Sequence, residues 1–159
     1  MLSRPDNVDM KYWLMKSEPD AFSIDDLARA GVEPWSGVRN YQARNFMRQM
    51  QVGDGVFLYH SSTAIPGIVG LAEVASEPYP DPTQFAKKSP YFDPKSSRED
   101  PRWSLVDVRF KRKFDCIISL DALKAAGDRF DDFALLRRGN RLSVLPVTAA
   151  QWKTILSLE

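Results

Sequence analysis

Cysteine and histidine are nearly missing from this chain of 159 residues, which has one of each, Cys116 and His60. A single cysteine excludes an intramolecular disulfide and fits a reducing compartment. Cys116 lies in FDCIIS, among apolar neighbours, and reads as a buried small hydrophobe rather than a nucleophile. One histidine and one cysteine cannot assemble a usual zinc site, so no metal is expected. His60 stands beside serines in YHSS, which are residue types of hydrolysis. No third orienting group is indicated, however, and no serine sits in a nucleophile-elbow glycine pattern. A Walker loop and a dinucleotide glycine fingerprint are also lacking, so no cofactor is expected. No apolar run approaches the ~20 residues of a membrane span, and MLSRPDNVDMK lacks the apolar core of a signal peptide. Residues 1–10 read as a flexible leader and 11–159 as one domain. The protein reads as intracellular: cytoplasmic in a bacterium, nuclear in a eukaryote. Also lacking is an excess of either charge, with 22 basic against 21 acidic residues and a net charge of +1. Without a whole-surface electrostatic footprint, any nucleic-acid binding must rest on a local basic patch.

What is present reads as a mixed α+β domain. Tyr12 to Met15, YWLM, is a short buried strand, ended by Lys16-Ser17-Glu18-Pro19. Ser23 caps a helix, IDDLARA, with Asp26 three residues on and Gly31 at its end. VFLYHS, Val56 to Ser61, is a second strand, and Ile68 to Val74 a third, with Gly70 marking a bulge or tight bend. Strands without repeated βαβ units argue for a mixed or antiparallel, barrel-like sheet. Glu77 to Arg102 is broken by six prolines and excludes a regular helix or central strand. Trp103 to Phe110, WSLVDVRF, alternates as a strand, and Lys111-Arg112-Lys113 reads as its solvated end. Ser119 caps a helix, LDALKAAG. Phe133 to Arg138 reads as a short helix and Arg141 to Val144 as a short strand or turn. A last helix, AAQWKTILSL, carries an apolar stripe of Trp152, Ile155 and Leu156.

The stretch Trp35 to Arg48, WSGVRNYQARNFMR, carries the strongest functional signal. A helix is predicted over Asn40 to Met50, because Ala43, Phe46, Met47 and Met50 fall on one face. Tyr41, Arg44, Asn45 and Arg48 fall on another. From Pro34 to Gly53 every charged residue is basic: Arg39, Arg44 and Arg48. With Asn40 at the helix start, these arginines suit a phosphate. The irregular segment interleaves Tyr79, Phe85, Tyr91 and Phe92 with lysines and arginines. That composition suits base stacking with phosphate contact, and equally a loop pinned down by its aromatics.

YWLMKSEP (Tyr12–Pro19), WSGVRNYQARNFMR (Trp35–Arg48), VGDGVFLYHSS (Val52–Ser62), GIVGLAEV (Gly67–Val74), PYPDPTQF (Pro78–Phe85), WSLVDVRF (Trp103–Phe110) and RLSVLPVT (Arg141–Thr148) closely resemble the EVE domain, over nearly the whole chain. The resemblance implies a PUA-like fold, an open curved β-barrel flanked by short helices. It also implies kinship with YTH domains, which read N6-methyladenine in RNA through an aromatic cage, and a role as a reader of modified bases, chiefly modified cytosine in DNA. Lys16-Ser17 and Trp35 match the YTH lysine-serine pair and cage tryptophan in order and spacing. The second cage aromatic comes from the segment holding Tyr91, Phe92 and Trp103, and the sequence does not choose among them. Glu18-Pro19 departs from the asparagines of YTH, which weakens the case for adenine. The expected base site is therefore Lys16, Ser17, Glu18, Trp35, Ser36, Tyr59, His60, Ser61, Tyr91 and Trp103. Glu18 is a candidate acceptor for an exocyclic amine. The expected phosphate site is Arg39, Asn40, Arg44 and Arg48. The reading is a non-catalytic, monomeric binder of DNA, rather than RNA, with no membrane partner. Its rivals are a small-molecule or free-nucleoside binding module and a hydrolase using His60 and Ser61.

Overall fold

The computed structural model describes residues 10–159, so the leader predicted over residues 1–10 lies, but for Met10, outside the described residues. The strands are β1 Tyr12–Ser17, β2 Val32–Pro34, β3 Gly55–His60, β4 Gly67–Val74, β5 Tyr79–Pro80, β6 Ser104–Leu105, β7 Asp107–Ser119 and β8 Val144–Val147. The helices are α1 Ile24–Ala30, α2 Tyr41–Arg48, α3 Leu120–Ala125 and α4 Ala149–Ser157. A six-stranded sheet runs β2-β7-β4-β3-β1-β8, with β5 and β6 forming a separate ribbon. Only β1 and β3 pair in parallel within it. The sheet is thus mixed, as the absence of βαβ repeats predicts, and the architecture is the PUA-like one.

Both faces of the central strands are buried, which explains why YWLM and VFLY read as continuous apolar runs. Trp13, Met15, Val56 and Leu58 point into one core with Leu27 of α1 and Ala43 and Met47 of α2. Leu14, Phe57 and Tyr59 point into a second, with Leu123 of α3 and Ile155 of α4. Trp152 stacks on Phe57 at 3.9 Å and on Tyr12 at 4.5 Å. Asp54, fully buried, accepts from the Trp13 indole N–H at 3.0 Å, the Gln51 amide at 2.9 Å and the Lys11 amide at 3.2 Å. A buried donor left unpaired costs about 1–3 kcal/mol. This carboxylate therefore fixes the edge of the sheet at the start of β1.

Local signals set the helices. Ser23 and Asp26 form the expected capping box of α1, and Gly31 closes it. Asn40 caps α2, its side chain accepting from the Ala43 amide. Ser119 and Thr148 cap α3 and α4. Gly70 lies at a register break. A Cβ there would sit 2.5 Å from the Arg112 carbonyl, so only glycine lets the strands come this close.

Four expectations are corrected. WSLVDVRF is split at Val106 into β6 and β7. Lys111-Arg112-Lys113 lies inside β7, not at its end, because β4 supplies partners on both sides of it. Cys116 is exposed, not buried. Ile68 pairs with Ile118 while Gly70 pairs with Lys113, so two steps on β4 span five on β7, and the intervening residues bulge off the ladder. The last strand begins at Val144 rather than Arg141, which leaves Arg141 and Ser143 on the approach to it.

Candidate functional site

A cavity of about 740 Å³ opens where β1 ends. Lys16, Ser17 and Glu18 form one wall, and Glu33, Trp35 and Ser36, running out of β2, form a second. Ser61 and Ser62 follow β3, Tyr91 comes from the irregular segment, and Arg141 and Ser143 precede β8. Residues far apart in sequence meet here because β1 lies between β3 and β8 in the sheet. The Ser61 amide donates to the Ser17 carbonyl at 3.0 Å, and the Lys16 amide to the Ser143 carbonyl at 2.8 Å, which closes the rim.

The walls combine a flat aromatic surface with groups of both charges. Trp35 is 8% exposed, and its ring meets Phe22 edge-on at 5.9 Å and 85°. Its amide donates to the Val106 carbonyl at 3.0 Å, extending the β2 ladder. Strand alternation puts Glu33 on the same side as Trp35. Neither Glu33 nor Glu18 has an ion-pair partner among the described residues. Burial pushes the Glu33 carboxyl above its ordinary value and pulls the Lys16 ammonium below its own. The Lys16 ammonium lies 5.6 Å from the centre of the Tyr59 ring. The Ser17 hydroxyl donates to the Phe22 carbonyl, so toward a ligand its oxygen can only accept.

Tyr91 is the aromatic that the irregular segment brings to the cavity. Phe92 lines a separate hollow. Trp103 is buried beneath: its indole donates to Asp93 at 2.7 Å and its ring stacks on Tyr41 at 4.8 Å. Tyr91 is 42% exposed and leans on Gly37, whose φ is +88°. A Cβ on Gly37 would lie 2.6 Å from the Tyr91 ring. Arg39 donates twice to the Tyr91 carbonyl, at 2.8 and 3.1 Å, and once to Asp81 at 3.1 Å. Asp81 is fully buried and also accepts from the Gly37 amide at 2.8 Å and from the Thr83 amide and hydroxyl at 2.8 and 2.6 Å. Burial alone would raise its carboxyl; the donors from Thr83, Gly37 and Arg39 outweigh that and hold it below the ordinary range. Gln84 anchors the same segment, its amide donating to the Asp81 and Trp103 carbonyls at 2.7 and 2.8 Å.

Of the expected base site, Lys16, Ser17, Glu18, Trp35, Ser36, Ser61 and Tyr91 line the cavity. Tyr59, His60 and Trp103 do not. Tyr59 points into the second core. His60 accepts the Ile24 amide on Nε2 at 3.0 Å, supporting the first turn of α1, and burial pulls its imidazole below the usual value. Of the expected phosphate site, Arg39 reaches the cavity but is held by Asp81, Thr83 and Tyr91. Asn40 is occupied as a cap. Arg44 donates to the Arg102 carbonyl at 2.9 Å and to Asn45. Arg48 donates to the Ser104 hydroxyl at 3.0 Å and to the carbonyls of 101 and 102. These two arginines fasten α2 to the irregular segment. Sequence reasoning missed Glu33, Asp81 and Arg141. Only Glu33 carried a readable signal, its alternation with Trp35. No helix among the described residues is long and apolar enough to cross a membrane, and no cluster among them could hold a metal.

The profile of the EVE domain matches residues 11–158. Mouse thymocyte nuclear protein 1 is 46% identical over 166 residues, covering 93% of this chain and 73% of that protein. A protein of Leishmania major is 49% identical, with a TM-score of 0.89 over 94% of each chain. Human THYN1, crystallised in complex with DNA containing 5-methylcytosine, is 42% identical, with a TM-score of 0.86 over 93% of this chain and 96% of that one. The cavity between the end of β1 and the Trp35 turn is thus built on a backbone shared with these proteins, and the chain belongs to the EVE domain family.

Proposed function

We propose that this chain is a non-catalytic DNA-binding module that reads a modified cytosine by taking the base out of its stack and into the cavity. The observation that carries the reading is the cavity itself, with Trp35 and Tyr91 as aromatic surfaces and unpaired carboxylates beside them, on a fold whose human relative binds 5-methylcytosine DNA. Extruding a base costs a few kcal/mol, and stacking on an aromatic side chain returns about 1–3 kcal/mol. Cytosine presents an exocyclic amine beside two acceptors. Glu33 or Glu18 accepts from the amine, and Lys16 donates to an acceptor. A hydrolytic role gains no support, since His60 offers its acceptor nitrogen to the Ile24 amide rather than to Ser61.

The test is a titration of matched oligonucleotides bearing cytosine, 5-methylcytosine, 5-hydroxymethylcytosine, adenine or N6-methyladenine. The wild type prefers modified cytosine. Trp35→Ala removes the preference, and Tyr91→Ala, at the more exposed lip, weakens it about tenfold. Equal weak binding to every oligonucleotide, unchanged in both variants, sinks the reading. The near-neutral charge favours a free nucleoside as the rival ligand. That alternative predicts tight binding of 5-methylcytidine and an affinity insensitive to salt.

A further inference from the structure

The arginines of α2 and its approach, the obvious phosphate ligands in the sequence, are all held inside the fold. Two others are not. Arg138 and Arg141, in the run RRGNR, have no hydrogen-bond or ion-pair partner among the described residues. Both are exposed. They line a groove of about 410 Å³ whose opposite wall is Asn40, Gln42 and Phe46. Arg141 also lines the cavity, so its side chain borders both hollows.

The run is held in shape by its other members. Asn140 donates to the Ala134 carbonyl at 2.7 Å and accepts the Leu142 amide at 2.8 Å. Arg137 is paired with Asp132 at 2.9 and 3.0 Å. The two free guanidiniums therefore project from a fixed backbone, and less ordering is needed when an anion binds.

We propose that Arg138 and Arg141 form the phosphate track of this protein, holding the backbone of the DNA strand on one side of the extruded nucleotide. This rests on the modified-base reading above. It reconciles a net charge of +1 with nucleic-acid binding: the positive charge that matters is confined to one loop, whose Arg141 lines the cavity and whose Arg138 lines the groove beside it. Phosphate contacts position a strand without reporting its sequence. The track therefore supplies affinity and the cavity supplies selectivity.

Arg138→Gln and Arg141→Gln test this by fluorescence anisotropy across a salt series, on matched duplexes with and without 5-methylcytosine. Each variant lowers affinity about fivefold at ~0.15 M salt, and the slope of log affinity against log salt falls by about 1. Modified and unmodified duplexes lose by the same factor, so their ratio is preserved. Arg44→Gln makes the same charge change on α2 and leaves the slope intact. If neither Arg138→Gln nor Arg141→Gln changes slope or affinity while Trp35→Ala still removes the preference, the track is overturned and the modified-base reading survives. A wild-type affinity with no salt slope overturns both. Variants that alter the modified-to-unmodified ratio instead of the slope place these arginines in base selection and overturn the track.

Discussion

Glu33 stands two residues before Trp35, half-buried on the wall of the cavity and free of any ion pair among the described residues. A carboxylate in that place accepts from an amine and repels a carbonyl oxygen. Thymine carries the same 5-methyl group as 5-methylcytosine and differs on the edge that Glu33 would read. In single strands, where pairing does not enter, the wild type should prefer 5-methylcytosine to thymine by tenfold or more, since a good polar pairing discriminates by about 1–3 kcal/mol. Glu33→Gln, which can donate as well as accept, should bring the two within a few-fold. An unchanged ratio would assign the reading to Glu18 or to backbone groups. Residue by residue, the sequence was legible where a motif imposed a geometry. Lys16, Ser17 and Trp35 lie on the cavity because strand ends place them there. Arg44 and Arg48 misled because a basic face looks the same whether its guanidiniums meet solvent or the carbonyls of a distant loop. His60 misled for a related reason: its partner, the Ile24 amide, is 36 residues away.

Elements with local determinants were legible throughout. The capping box of Ser23 and Asp26 delimits α1, and the apolar spacing of Ala43 and Met47 marks α2, although the helix ends at Arg48, short of the predicted Met50. The proline-rich segment was legible only as irregular, because its order comes from buried polar hubs, Asp81 and Gln84, which leave no periodic trace. Its one contact with the cavity, Tyr91, depends on the turn at Gly37. At a φ of +88° a side chain costs about 1–2 kcal/mol, and a Cβ would meet the Tyr91 ring at 2.6 Å. Gly37→Ala should lower the melting temperature by roughly 2–8 °C. It should also weaken binding to modified DNA several-fold, as the Tyr91 ring is displaced. A variant with unaltered melting and affinity would show that the turn and the ring are not coupled. The break at Val106 and the bulge in β7 were invisible for a different reason. The break marks where the chain passes from pairing with β5 to pairing with β2 and β4, and the bulge is set by pairing with β4, not by the residues that bulge.

At the scale of the whole molecule, the central strands are buried on both faces and leave one end, where β1, β3 and β8 meet loops, for recognition. That end carries the Glu18 and Glu33 carboxylates on the cavity wall and the free Arg138 and Arg141 along the adjoining groove, so a nearly neutral protein presents a polarised site. The measurement that tests this account most directly is a crystal structure of the chain with a short duplex containing one 5-methylcytosine. The account predicts the methylated base outside the helix, against Trp35 and Tyr91, with its amine toward Glu33 or Glu18 and the neighbouring phosphates along Arg138 and Arg141. A methylated base still stacked in the duplex, with the cavity empty and the protein resting on the outer groove, would contradict it.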